Sequence, residues 1–221
     1  MPQTPPSARL LIATGCVHCA TVVEGTVRLV KAGRLASLEI VNLSVSPNDE
    51  SDTDVRSVPV TRIGPFKLEG SLSPGELSDW VEAVTDGEGW PAYYAHLLDH
   101  RRLDEVVERV SKQRSCLLDL LGLLAREDTS LTTRIGIGAV VEELAGTEQL
   151  RAVIPDLIQL TLSESHQTRV DACHYLGLTA DPQVIPAVSR LRDDEHPDVQ
   201  EIALDTLALF DGSSRDSRAA D

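Results

Sequence analysis

The sequence predicts a small α/β domain followed by an all-α stack of helical hairpins, and two observations predict it. Over residues 8–87, short β-branched runs alternate with a helical stretch and a capped helix. From Trp90 onward only helical spacing is left, and it repeats. "AVIPDLIQL" (Ala152 to Leu160) returns as "QVIPAVSRL" (Gln183 to Leu191) 31 residues later, and "TRVDACHYLG" (Thr168 to Gly177) returns as "VQEIALDTLA" at the same offset. A period near 30 with two amphipathic helices per unit means stacked hairpins, because no hairpin buries its apolar face alone.

Residues 1–7 are Pro-rich and read as a flexible arm. Arg9 to Thr14 reads as a short buried strand. Cys19, Val22, Val23, Val27 and Val30 then fall at three- and four-residue steps, a helix closed by Gly33. Ala36 to Leu43 is β-branched and alternating, a second strand. Ser44 to Arg56 is polar and acidic and reads as a loop. "SVPVTRI" and "PFKLEG" around Gly64-Pro65 read as a hairpin. Ser73-Pro74-Gly75-Glu76 is a capping box with proline at the first helical position, opening a helix with Leu77, Trp80, Val81 and Val84. Gly87-Glu88-Gly89 is the expected linker, residues 88–211 the helical domain, and the polar segment 212–221 a disordered tail.

Bulk composition narrows the function. The chain has 221 residues and a net charge of −15, with 7 basic and 11 acidic residues before Gly87 and 13 and 24 from there on. A phosphate backbone is repelled by such a surface, so nucleic acid is not the expected partner. No run approaches the ~18 apolar residues of a membrane span, and the N-terminus lacks the charged start and apolar core of a signal peptide. The cytoplasm is the expected compartment, where a close cysteine pair reads as redox or metal chemistry.

That pair is "TGCVHC", Cys16 and Cys19. With Cys16 after a strand and at a predicted helix start, unpaired amides and the macrodipole favour its thiolate. Cys19, one turn on, is placed to resolve a mixed disulfide. His18, between them, is placed to tune the potential, since an imidazole charges near neutrality. Cys116 and Cys173 lie on apolar stripes and read as buried small hydrophobes. "HLLDH" (His96 to His100) has helical ligand spacing but reads as a solvated helix face.

The motif, the segment "DVRSVPV" (Asp54 to Val60) and the succession "GPFKLEGSLSPGELSDWV" together resemble the thioredoxin superfamily over about residues 8–86. The variant is closer to glutaredoxins or to the N-terminal redox domain of alkyl hydroperoxide reductase flavoproteins, for the helix between the second and third strands has little room. The resemblance implies a cis-proline at Pro59 facing the cysteines, keeping the site open to an extended peptide and discouraging metal capture. It also implies a substrate-pairing backbone at Val58. "ADPQVIPAVSRLRDDEHPDVQEIALDTLA" resembles the HEAT repeat family, over about residues 128–211. The resemblances imply a thiol-disulfide oxidoreductase, without a cofactor, acting on a specific protein partner recruited by the HEAT-like solenoid. Two alternatives stay open. One is a non-catalytic adaptor or assembly factor whose thioredoxin-like domain only docks. The other is a soft-metal (copper or zinc) binding protein, since "TGCVHCATVVEGTVRLVKAG" also resembles the heavy-metal-associated domain.

Overall fold

The computed structural model describes residues 4–46, 55–87 and 89–216, with side chains to 210. Within these, a small mixed sheet near the N-terminus is followed by a run of helices, and the chain divides into two compact units, Met1–Ala92 and Tyr93–Asp221.

The first unit holds β1 (Ser7–Ile12), α1 (Cys19–Lys31), β2 (Ser37–Asn42), β3 (Val60–Ile63), β4 (Phe66–Glu69) and α2 (Pro74–Asp86). The sheet order is β2-β1-β3-β4. β1 and β2 run parallel, and α1 is the crossover that parallel neighbours require. β3 pairs antiparallel with β1 and with β4, so the expected hairpin around Gly64-Pro65 is present. Register puts Leu38, Ala8, Ile63 and Phe66 in one row and Ile40, Leu10, Thr61 and Leu68 in the next on the same face. Apart from the β2 residues at the sheet edge these are buried, the residues a core needs. Phe66 packs its ring against Trp80 of α2 at 5.5 Å, which places α2 on this face.

The α2 capping box forms as expected. Ser73 Oγ accepts from the Glu76 amide at 3.2 Å, and a Glu76 carboxylate oxygen accepts from the Ser73 amide at 2.7 Å. α1 meets α2 at Gly25, where a Cβ would stand 2.6 Å from Leu77 Cδ1. A tighter fit occurs at Gly89, where a Cβ would collide with the Phe66 ring and come within 3.1 Å of the Ala83 carbonyl. Phe66 is held by Trp80 and, at 5.0 Å edge-on, by Trp90, so it has little room to yield. Gly89→Ala is therefore expected to destabilise the fold by about 1–3 kcal/mol through overpacking, read as a lower urea midpoint.

Boundaries differ from the sequence reading in three places, and parts of two expected segments lie outside the described residues. α1 begins at Cys19, three residues after Cys16. The segment 47–54, most of the expected acidic loop, lies outside the described residues, as does Glu88 of the expected linker. Ser7, assigned to the arm, already belongs to β1, and residues 1–3 lie outside the described ones. The last helix runs on through Asp216, past Gly212; residues 217–221 lie outside the described ones.

After α3 (Gly89–Asp99), the second unit continues with α4 (Leu103–Val110), α5 (Arg114–Gly122), α6 (Leu131–Glu143), α7 (Glu148–Arg151), α8 (Ile154–Leu160), α9 (His166–Leu178), α10 (Ile185–Arg190) and α11 (Pro197–Asp216). The two echoed segments share local features. Pro155 and Pro186 each sit in the first turn of a short helix, α8 and α10, where a missing amide costs nothing. Val153 and Val184, and Leu157 and Val188, are buried at equivalent positions. α9 packs against α6, α8 and α11, and α10 against α11. Arg169 is 7% exposed and joins two segments. It grips Asp194 with two bonds of 2.9 and 2.8 Å and donates to the Ser163 and Glu164 carbonyls at 2.9 and 3.0 Å.

Candidate functional site

The end of β1 and the turn after it place the cysteines. Leu43 donates its amide to the Ile12 carbonyl, the Thr14 amide donates to Ser44 Oγ at 3.0 Å, and Asn42 Nδ2 donates to Thr14 Oγ1 at 3.1 Å. These bonds tie the β1 exit to the β2 exit. Gly15 turns the chain at φ 79°, a left-handed conformation that suits glycine. The Cys16 amide then donates to the Ala13 carbonyl at 3.2 Å, and the Cys19 amide to the Cys16 carbonyl at 3.4 Å.

Cys16 and Cys19 are joined as a disulfide with Cα atoms 5.5 Å apart. Their environments differ. Cys19, the first residue of α1, is 4% exposed and faces the core. Cys16 is half-buried, and beside it Val17 is 80% exposed. Cys16 is thus the more exposed residue of the pair. His18 is the exposed N-cap of α1 and makes no side-chain capping bond.

Opposite the pair, Val58-Pro59 is a cis peptide. Pro59 is buried and its carbonyl accepts from the Gly70 amide at 2.9 Å, which ties this bend to the end of β4. The Val58 carbonyl lies 3.9 Å from Cys16 Sγ. Four of the five residues singled out from sequence thus come together: Cys16, Cys19, Val58 and Pro59. His18 stands beside them, on the solvent side.

No protein-family model matches the chain, and no curated protein matches it significantly.

The other cysteines are placed as the sequence suggested. Both are buried and unpaired in disulfides. Burial pushes the Cys173 thiol up to about 11, against a smaller opposing effect of its contact with Thr206 Oγ1. Such a thiol is protonated at neutral pH and a poor nucleophile. In "HLLDH", His100 Nδ1 lies 2.8 Å from the His96 carbonyl, and Asp99 accepts from the Ser130 and Thr133 hydroxyls at 3.1 and 2.9 Å. Asp99 is thus engaged at the start of α6. Among the described residues, no helix is long and apolar enough to cross a membrane.

Sequence reasoning missed the bracing around Thr14, Asn42 and Ser44. No motif marks it, because three ordinary polar residues meet only once β1 and β2 are adjacent. It also missed the approach of His166, His196 and Asp198, ligand-type residues whose donor atoms lie within 4.8 Å of one another.

Proposed function

We propose that the chain is a thiol-disulfide oxidoreductase whose N-terminal unit is a thioredoxin-like domain and whose C-terminal unit is a HEAT-like solenoid that recruits a specific cytoplasmic protein partner. The observation that carries the reading is the asymmetry of the disulfide, with Cys16 reachable and Cys19 buried behind it. A two-step exchange needs one sulfur to meet the partner and a second to stay in reserve.

The chemistry balances without a cofactor. A partner thiolate attacks Cys16 Sγ, the Cys16–Cys19 bond breaks, and Cys19 leaves as a thiolate. A second partner thiolate attacks the partner sulfur of the mixed disulfide, and Cys16 leaves. The partner gains a disulfide and this chain gains two electrons as a dithiol. In reverse, Cys16 attacks a partner disulfide and Cys19 releases it. Val58 and Pro59 border the sulfur that meets the partner, where an extended segment can lie along the backbone.

A groove between α6 and α9 supports the recruitment role. Leu131 and Ile135, one turn apart on α6, are 74% and 66% exposed. Gly138, Ala139, Glu142, Gln167 and His174 line the rest of it, above an Arg134–Asp171 ion pair at 2.8 Å. Anchoring a partner there raises the effective concentration of its thiols at Cys16.

The test is reduction of a protein disulfide by the dithiol form. Turnover that disappears in Cys16→Ser/Cys19→Ser supports the proposal. Absent turnover in the wild type, with partner binding unchanged in the double variant, supports the adaptor reading in its place.

A further inference from the structure

We propose a divalent-metal site at His166, His196 and Asp198, formed where two repeats of the C-terminal unit meet and unrelated to the cysteine pair. His166 is the first residue of α9, while His196 and Asp198 flank Pro197 at the start of α11. The two histidines are 30 positions apart in sequence, close to one repeat length, so stacking of successive repeats brings them together. Their rings lie face to face, with centroids 3.8 Å apart and planes within 9°.

The donor chemistry fits zinc, nickel or copper(II), which take imidazole nitrogen and carboxylate oxygen. The Asp198 amide donates to His196 Nδ1 at 3.3 Å, so that lone pair is engaged and an ion bound at this nitrogen displaces the bond. That nitrogen lies 3.8 Å from Asp198 Oδ2. One ligand-type atom from each of His166, His196 and Asp198 lies within 4.8 Å of the other two. An ion lies in the plane of each imidazole that binds it, so loading turns one ring out of the stack. His166 is exposed, which makes it the ring to turn.

Charge works both ways at this position. The N-termini of α9 and α11 carry partial positive charge and oppose a cation. Asp198 supplies a full negative charge among the ligands. Asp194 and Glu195 lie next to His196 in sequence, but both are engaged by Arg169. Three protein ligands leave positions for water, so the site is suited to holding an ion and fastening α9 to the start of α11.

The experiment titrates zinc chloride, then nickel chloride, into the tag-free full chain by calorimetry, with the Cys16–Cys19 disulfide kept oxidised so that no thiolate competes. One equivalent is expected to bind, weakened at least about tenfold in His166→Ala and in His196→Ala, and unchanged in His174→Gln. Zinc is expected to raise the thermal midpoint of the wild type and not of the two alanine variants. Wild-type binding no tighter than that of the His166→Ala/His196→Ala double variant, with both proteins folded by circular dichroism, overturns the site.

Discussion

Cys16→Ser is expected to lower the rate of protein-disulfide reduction on the order of 10³-fold or more, to the uncatalysed background, while Cys19→Ser retains the first chemical step. The difference follows from exposure. Cys16 is the half-buried sulfur beside exposed Val17, and Cys19 faces the core at 4% exposure. A serine hydroxyl does not ionise at neutral pH and cannot replace the attacking sulfur. With serine at 19, Cys16 still attacks, but the mixed disulfide has no internal thiol to resolve it and accumulates. Stopped-flow measurement of the first turnover separates the two variants. Folding should survive both substitutions, because the turn is held by Thr14, Asn42, Ser44 and Gly15 independently of the sulfurs.

The second large effect is structural. Arg169→Ala is expected to destabilise the C-terminal unit by about 3 kcal/mol, lowering the thermal midpoint by roughly 10 °C. Removing the guanidinium leaves the Asp194 carboxylate and the Ser163 and Glu164 carbonyls without their shared donor. The lower end of the range for a buried pair applies because the cluster lies close to the surface. Arg169→Lys should fall between the two, since an ammonium cannot make the paired bonds to one carboxylate.

The pH dependence gives this prediction a sign. Arg169's hydrogen bonds, helped by the His196 amide and against some burial, hold the Asp194 carboxyl below its usual range. A depressed carboxylate stabilises the folded state above its unfolded pKa, about 3.9, and that contribution is lost as pH falls through the lower folded value. The stability gap between wild type and Arg169→Ala, measured by urea unfolding, should therefore be full at pH 7 and shrink below about pH 4.

What could be read from sequence was local or periodic. The capping box at Ser73 and Glu76 is set by four consecutive residues and forms as written. The strand pattern survived because β-branched alternation and a Gly-Pro turn need no distant information. The 31-residue echo of Ile154-Pro155 in Ile185-Pro186 located two short helices, since each proline marks a helix start. The onset of α1 was not legible. The turn at Thr14 and Gly15 is stabilised from Asn42 and Ser44, which lie about 30 residues away, and it moves the helix start to Cys19. That shift alters the electrostatic argument. Cys16 stands three residues before α1, and the Val58 carbonyl lies 3.9 Å from its sulfur. The meeting of His166 and His196 was equally hidden, because neither helix start announces a partner until α9 packs against α11.

The most direct test of the central claim is which sulfur reacts first. The wild-type dithiol is treated under native conditions with limiting iodoacetamide, and the labelled peptides are identified by mass spectrometry over time. Label should appear first on Cys16 and later on Cys19, with Cys116 and Cys173 modified only after denaturation. Label appearing first on Cys19, or equally on all four cysteines, or on none before unfolding, would contradict the account.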